Sequence, residues 1–163
     1  MDKNIVLIGM PGSGKTTVGE LLSKLLNLKL YDVDQFIEEM EETSISEIFN
    51  IGEEYFRTIE TKAIETISYS TKTIISTGGG VIKSPHNMEM LKKGGIIIFI
   101  NRPLKNIIAD VNIENRPLLR NGKEKMYELY RERYDLYKKY CDYEIINDKD
   151  INLVIDKINN LIL

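Results

Sequence analysis

A glycine-rich segment near the start of the chain carries the residue types that hold a triphosphate. It reads Gly9-Met10-Pro11-Gly12-Ser13-Gly14-Lys15-Thr16 and matches the pattern G-x-x-x-x-G-K-[ST] in full. The glycines let backbone N–H groups turn toward one anion, the lysine supplies a point charge for the terminal phosphates, and the threonine hydroxyl suits Mg²⁺. The segment predicts a nucleotide and Mg²⁺ site whose contacting residues are Gly12, Ser13, Gly14, Lys15, Thr16 and Thr17.

The surroundings of this segment favour a nucleotide site over a glycine turn with a surface lysine. A β-type run at 4–8 precedes it and a helical pattern at 15–26 follows it, so the positive end of a helix dipole would lie at the bound anion. The segment alone does not define the reaction, because motors, GTPases and kinases share it. The chain lacks the guanine-reading pattern Asn-Lys-x-Asp, which favours ATP as the nucleotide.

Two acidic residues, Asp32 and Asp34, come directly after the second β-type run. In an extended chain, residues two apart lie on the same side. One carboxylate could support Mg²⁺ through water, and the other could accept a hydrogen bond, and then the proton, from an attacking hydroxyl. On this pair alone, a solvated turn or a helix N-cap at Asp34 is the favoured interpretation.

A run of glycines and three arginines are further candidate site residues. Gly78-Gly79-Gly80 follows a β-type run and would permit close approach of a ligand to the backbone, with a plain flexible loop as the alternative. Arg116 lies in a polar loop and could close over a triphosphate, but an ordinary basic surface loop explains it equally well. Arg57 and Arg133 lie on helical patterns, where a lone arginine is usually solvated.

Short β-type runs alternate with helical segments along the whole chain. This alternation predicts an α/β fold with a five-stranded parallel sheet between two helical layers, and such sheets bind ligands at the carboxyl ends of their strands. Each motif above follows a predicted strand or lies on a neighbouring helix. Strands are predicted at 4–8, 28–31, 73–76, 95–100 and 143–146, and helices at 15–26, 35–51 with a new start at Ser44, 53–69, 85–93, 104–111, 126–141 and 151–162, with a loop at 112–123.

The composition excludes several classes of partner. The chain has 163 residues, of which 42% are apolar and 29% charged, and this suits a single domain over 1–163. Its formal net charge of −3 gives no global match to nucleic acid or to an anionic membrane, and no apolar stretch approaches the length of a membrane span. Cys141 is the only cysteine, which fits a reducing cytosol. We expect a cytoplasmic protein that binds small molecules.

Taken in order, these motifs resemble those of the shikimate kinase family. The similarity runs from Gly9 to about Asp142, and its ordered set is highly specific although only the first motif is specific alone. The resemblance implies an ATP-dependent kinase of the P-loop kinase fold that phosphorylates the 3-hydroxyl of shikimate, a step toward chorismate and the aromatic amino acids. It also implies a monomer, a substrate-binding region at about 32–60 and a lid at about 109–123. Further matching segments are Glu47-Ile48-Phe49 to Phe56-Arg57, Arg116-Pro117-Leu118-Leu119 and Arg133-x-x-Leu136-Tyr137.

The resemblance implies that shikimate is held by Asp34, the two helical arginines and the glycine turn. Arg57 and Arg133 would bind the carboxylate of shikimate, which suits the fork geometry of guanidinium groups. Asp34 would bind the ring hydroxyls and act as the base. The turn residues assigned to the substrate are Gly78, Gly79 and Gly80.

On the nucleotide side, the resemblance implies that Lys15 and Arg116 stabilise the transferring phosphoryl group. With Asp34 they form the implied catalytic set, and Arg116 would also contact ATP. Thr16, and Asp32 through water, would hold Mg²⁺.

Two other classes of function stay open on the residues alone. A gluconate kinase or a nucleoside monophosphate kinase would share the glycine-rich segment and a lid. A protein without catalysis that senses a nucleotide or metabolite would also keep a nucleotide site. Neither of these kinases is expected to combine the paired acids, both helical arginines and the triple glycine. Against the protein without catalysis stand its intact candidate catalytic and metal residues, Lys15, Thr16, Asp34 and Arg116. Shikimate kinase is therefore the preferred prediction.

Overall fold

A computed structural model of the chain describes residues 2–110 and 122–163. Five strands pair in parallel in the order β2-β3-β1-β4-β5, which confirms the predicted sheet. Most of the predicted lid loop, including Arg116, lies outside the described residues. The strands are β1 (Asn4–Ile8), β2 (Lys29–Asp32), β3 (Thr73–Ser76), β4 (Gly95–Asn101) and β5 (Tyr143–Ile146).

Eight α-helices lie within the described ranges, with a short 3-10 turn at Val81–Lys83. The predicted segment at 35–51 forms two helices, because the chain turns at Glu42 with a φ of 54° and restarts at Ser44, whose hydroxyl accepts from the Glu47 N–H at 3.2 Å. The helices are α1 (Lys15–Leu26), α2 (Val33–Glu41), α3 (Ile45–Ile51), α4 (Glu53–Ser68), α5 (Pro85–Gly94), α6 (Leu104–Asp110), α7 (Lys123–Tyr140) and α8 (Ile151–Ile162).

The sheet is covered on both faces, so its central strands are apolar throughout. On β1, Val6 and Ile8 face a core built with helices α2 to α7, and Ile5 and Leu7 face a second core built with α1 and α8. This arrangement explains why the β1 and β4 sequences are nearly continuous runs of branched apolar residues. The three-layer prediction is confirmed.

The strand order places the chemical motifs at one edge of the sheet. The chain leaves β1 toward β2 and β3 on one side and later returns to β4 and β5 on the other, so a crevice forms outside the carboxyl end of β1. The glycine-rich segment follows β1, Asp32 ends β2, and the triple glycine follows β3. None of the helices described above combines the length with the apolar composition that a membrane span requires.

Candidate active site

The glycine-rich segment forms an open anion cradle at the start of α1. Gly12 and Gly14 have φ values of 78° and 97°, in the left-handed region that side chains disfavour, so both positions require glycine. Gly14 is the N-cap of α1, and no side chain caps this helix. The first-turn N–H groups of α1 therefore remain available to an anion, together with the positive end of the helix dipole.

The Lys15 side chain folds back onto the glycine-rich segment and is hydrogen-bonded to its backbone. Its Nζ donates to the carbonyl oxygens of Gly9 at 2.8 Å and Met10 at 2.9 Å and contacts the Ser13 hydroxyl at 3.4 Å. The residue is 8% exposed. Burial lowers the pKa of Lys15 to about 8, against the opposing charge of Asp34. The amine is thus fixed near the cradle in a form that the negative charge of a bound triphosphate would keep protonated.

Thr16 and Asp32 form a pair of oxygen donors beside the cradle. The Thr16 hydroxyl donates to Asp32 Oδ2 at 3.0 Å, while Asp32 Oδ1 accepts from the Gln35 N–H at 3.1 Å. Asp32 is therefore the N-cap of α2, so the suggested cap at Asp34 is wrong. The two acids also do not share an extended strand, because Asp34 lies in the first turn of α2. A hydroxyl and a carboxylate are the hard oxygen ligands that Mg²⁺ prefers.

Asp34 is a half-buried carboxyl group facing the glycine turn. Burial raises the pKa of Asp34, and the Asp32 charge raises it further, while Lys15 and Arg57 act in the opposite direction. A carboxyl group with a raised pKa near a phosphate-binding lysine is suited to accept a proton from a hydroxyl.

The triple glycine leaves room for the side chains around it. A Cβ on Gly78 would lie 3.2 Å from Asp34 Oδ1 and 3.3 Å from Glu60 Oε2. A Cβ on Gly79 would lie 3.2 Å from Arg133 Nη1, and one on Gly80 would collide with the Arg57 guanidinium. The structure therefore brings the predicted residues of the second substrate site together around one turn, and the glycines are needed because charged groups pack directly on the backbone.

Arg57 is oriented by two carboxylates of its own helix. Its Nη1 donates to Glu60 Oε1 at 2.9 Å and its Nη2 to Glu53 Oε1 at 3.4 Å. Glu60 is 1% exposed, and burial raises its pKa despite the adjacent arginine. Its other oxygen, Oε2, has no partner among the described residues and faces Gly78. Glu60 could not be identified from the sequence, where only its position three residues after Arg57 distinguishes it.

Arg133 is a buried cation that makes no ion pair within the described ranges. It is 8% exposed, and its Nε has no hydrogen-bond partner among the described residues, as is also true of Arg57 Nε. Nearby, the Tyr137 hydroxyl donates to the Gly79 carbonyl at 2.5 Å, and burial raises the pKa of Tyr137 to about 12. A buried guanidinium without a carboxylate is costly, which indicates a site for an anionic ligand.

Tyr137 has a second role in addition to the packing that its helical spacing indicated. It packs on Phe99 of β4, with ring centroids 5.1 Å apart, and its hydroxyl fixes the glycine turn. Asn147, after β5, makes a contact that sequence reasoning did not predict. Its Nδ2 donates to the Ser13 carbonyl at 2.9 Å and so braces the phosphate cradle from behind.

A pocket of about 290 Å³ adjoins the cradle on the side away from the glycine turn. Gly14 and Thr17 form the wall that this pocket shares with the cradle, which fits the prediction that Thr17 contacts the nucleotide. Its other walls come from the segment after β4 and the segment after β5, namely Arg102, Asn106, Asn147, Asp148, Lys149 and Ile151.

Comparison with known proteins decides which kinase family this arrangement belongs to. A family model described as shikimate kinase matches residues 11–162. A shikimate kinase of Clostridium botulinum, strain Alaska E43, is 49% identical over 163 residues, covering 100% of this chain and 99% of the relative. The chain belongs to the shikimate kinase family.

Further relatives agree with this assignment. A second shikimate kinase of Clostridium botulinum, strain Eklund 17B, is 47% identical over 100% of this chain and 99% of its own. The solved structure of shikimate kinase from Acinetobacter baumannii, in complex with shikimate, superimposes with a TM-score of 0.92 at 34% identity, over 98% of this chain and 92% of that one.

The predicted activity is confirmed. The chain has shikimate kinase activity, that of an ATP-using phosphotransferase with an alcohol acceptor in aromatic amino acid biosynthesis. The gluconate kinase, nucleotide kinase and non-catalytic alternatives are therefore set aside.

Proposed function

We propose that this site transfers the γ-phosphoryl group of ATP to the 3-hydroxyl of shikimate in the presence of Mg²⁺. The observation that carries the proposal is the pair of guanidinium groups, Arg57 and Arg133, that flank a glycine turn opposite a lysine-bearing phosphate cradle. One half of the site attracts a carboxylate and the other a triphosphate. A small hydroxy acid placed between them would present a hydroxyl to the terminal phosphate.

On the acid side, Arg133 is proposed as the main partner of the shikimate carboxylate. It lacks a competing carboxylate among the described residues, whereas Arg57 already contacts Glu53 and Glu60. Those two acids would hold Arg57 in position to complete the pair. The backbone of Gly78, Gly79 and Gly80 would line the substrate, since no side chain there keeps it away.

Asp34 is proposed as the residue that binds the reacting hydroxyl of the substrate. Its raised pKa follows chiefly from burial, and its neighbour Gly78 leaves space for a ring hydroxyl beside the carboxylate. Asp34 would accept the hydrogen bond of this hydroxyl, and its proton as the phosphoryl group transfers.

On the nucleotide side, the cradle residues Gly12, Ser13 and Gly14 would bind the triphosphate, and Lys15 would stabilise the charge of the transferring group. Thr16 and Asp32 fit Mg²⁺, because they place a hydroxyl and a carboxylate oxygen together beside the cradle, and this ion keeps most of its water and phosphate ligands. When bound, Mg²⁺ would neutralise phosphate charge. Arg116 and a lid at 109–123 are proposed from the family resemblance alone, as are a substrate region at 32–60, a monomer and a cytoplasmic location.

The test of this function is ADP release by the purified chain. With ATP and Mg²⁺, we expect rapid ADP release on addition of shikimate and only background release with gluconate or a nucleoside monophosphate. Phosphorus and proton NMR of the product would identify the phosphorylated hydroxyl. Equal release with all acceptors, or a phosphate on another hydroxyl, would contradict the proposal.

Replacing Arg133 with alanine is expected to weaken shikimate binding selectively. A hydrogen bond to a charged group contributes about 1.5–3 kcal/mol, so KM for shikimate should rise by about 10- to 100-fold with little change in KM for ATP. Steady-state kinetics with each substrate varied in turn would measure both constants.

The matched control is Arg131→Ala, which removes an exposed arginine two residues earlier on α7. It should leave both constants within about twofold of the original chain. An unchanged shikimate KM in Arg133→Ala would remove Arg133 from the substrate site.

A further inference from the structure

Arg102 belongs to none of the motifs that identify the family, yet it lies against the phosphate cradle. It follows the end of β4, and its Nη1 donates to the Gly12 carbonyl at 3.1 Å. Its Nη2 pairs with the carboxylate of Asp110, the last residue of α6. The side chain is 23% exposed. Two edges of this guanidinium are thus fixed by a main-chain oxygen and an acid, which is more order than a solvated surface arginine has.

The same side chain forms part of the pocket of about 290 Å³ beside the cradle. That pocket shares Gly14 and Thr17 with the phosphate-binding segment. Because Lys15 and Thr16 are assigned to the terminal phosphates and Mg²⁺, the end of the nucleotide that extends past Gly14 and Thr17 is the nucleoside. Arg102 therefore lies where a base or ribose would be held.

We propose that Arg102 is a nucleoside-binding residue, with its edges fixed by Gly12 and Asp110 and its planar face forming a wall for the base. This inference rests on the proposed ATP site. A guanidinium plane stacks on aromatic rings, and its charge also favours the nearby phosphates. Arg102 would add affinity for nucleosides beyond what the phosphate cradle supplies.

A purely structural role for Arg102 predicts different effects on ligand affinity. If its only task were to hold the Gly12 carbonyl, its loss would distort the phosphate cradle. Every phosphate ligand would then bind less tightly, with or without a nucleoside. Comparing ADP with inorganic tripolyphosphate, which has no base or ribose, separates the two roles.

The experiment measures Kd for ADP and for tripolyphosphate by calorimetry, with Mg²⁺, in the full chain and in Arg102→Ala. We expect the ADP Kd to rise about tenfold, within the range of cation–π contacts, and the tripolyphosphate Kd to change by less than about twofold. Arg102→Lys, which keeps the charge but loses the plane, should remain at least about threefold weaker for ADP. Equal weakening of both ligands, or no weakening of either, would overturn the proposal.

Two controls make the result interpretable. Lys105→Ala removes an exposed cation from α6 outside the pocket and should leave both Kd values unchanged. Thermal unfolding would show that Arg102→Ala is folded, and Arg102→Lys provides a milder variant if it is not. Phosphoryl transfer to shikimate by the unaltered chain is measured separately, so a failure of the proposed function would appear there and not in the ADP comparison.

Discussion

Lys15→Met is expected to abolish phosphoryl transfer to shikimate while leaving the chain folded. The Lys15 amine is the cation that the phosphate cradle holds in place, through the Gly9 and Met10 carbonyls. Methionine has a similar length but no charge, so it removes the interaction with the transferring phosphoryl group without emptying the space. Loss of one such charged donor typically costs about 10²–10³ in kcat, and we expect at least that fall in coupled ADP release.

The difference in stability between Lys15→Met and the original chain should depend on pH in a defined direction. Burial lowers the pKa of Lys15 from 10.5 to about 8 in the folded chain. Below about pH 8 the amine is charged in both the folded and unfolded states, so the fold bears its full desolvation cost. Between about pH 8 and 10.5 the unfolded chain retains a proton that the fold has lost, so the original chain gains stability as the pH rises.

Thermal unfolding at pH 7 and pH 9 checks this sign. The melting temperature of Lys15→Met, relative to that of the original chain, should be higher at pH 7 than at pH 9. Lys24→Met, an exposed lysine in the last turn of the same helix, is the matched control and should show neither the kinetic loss nor the pH trend. Near-normal turnover in Lys15→Met would remove Lys15 from the catalytic set.

The phosphate cradle could be predicted from sequence because its determinants are local. Eight consecutive residues contain the turn, the cation and the helix start, and the neighbouring strand and helix patterns fixed their context. The strand bounds could also be predicted well, since β1, β3 and β5 begin and end at the predicted residues. β4 ends one residue later than predicted, and β2 both begins and ends one residue later. Its residues are half-exposed and carry a weak pattern.

The second half of the site depends on contacts between distant segments, which one sequence does not reveal. Glu60 looks like an ordinary charged helix residue, but α4 turns it inward beside Arg57 and the glycine turn. Asn147 reaches Ser13 across 134 positions, and Arg102 reaches Gly12 across 90. The glycine turn itself was predicted, but the explanation offered for it, close approach of a ligand to the backbone, was incomplete. Protein side chains pack on it, in addition to any ligand.

Asp34→Asn is the second change with a large expected effect. Asparagine preserves the shape and a hydrogen-bond acceptor but does not accept a proton at neutral pH. If Asp34 is the base, kcat should fall by about 10²–10⁴, the usual contribution of general base catalysis, while KM for ATP changes little. Coupled ADP release at saturating shikimate would measure this.

The pH dependence distinguishes a base from a group that only orients the hydroxyl. Because burial raises the pKa of Asp34, kcat of the original chain should decline at acidic pH, starting above the ordinary range for aspartate, and Asp34→Asn should lack this limb.

A folded-state pKa above the unfolded value also means that charging Asp34 destabilises the fold as the pH rises. Asp34→Asn should therefore melt at a higher temperature than the original chain at pH 7. Glu39→Gln, an exposed acid on the same helix, should alter neither property. A variant that keeps most of its turnover and the same acidic limb would show that Asp34 orients the substrate and that the proton leaves by another route.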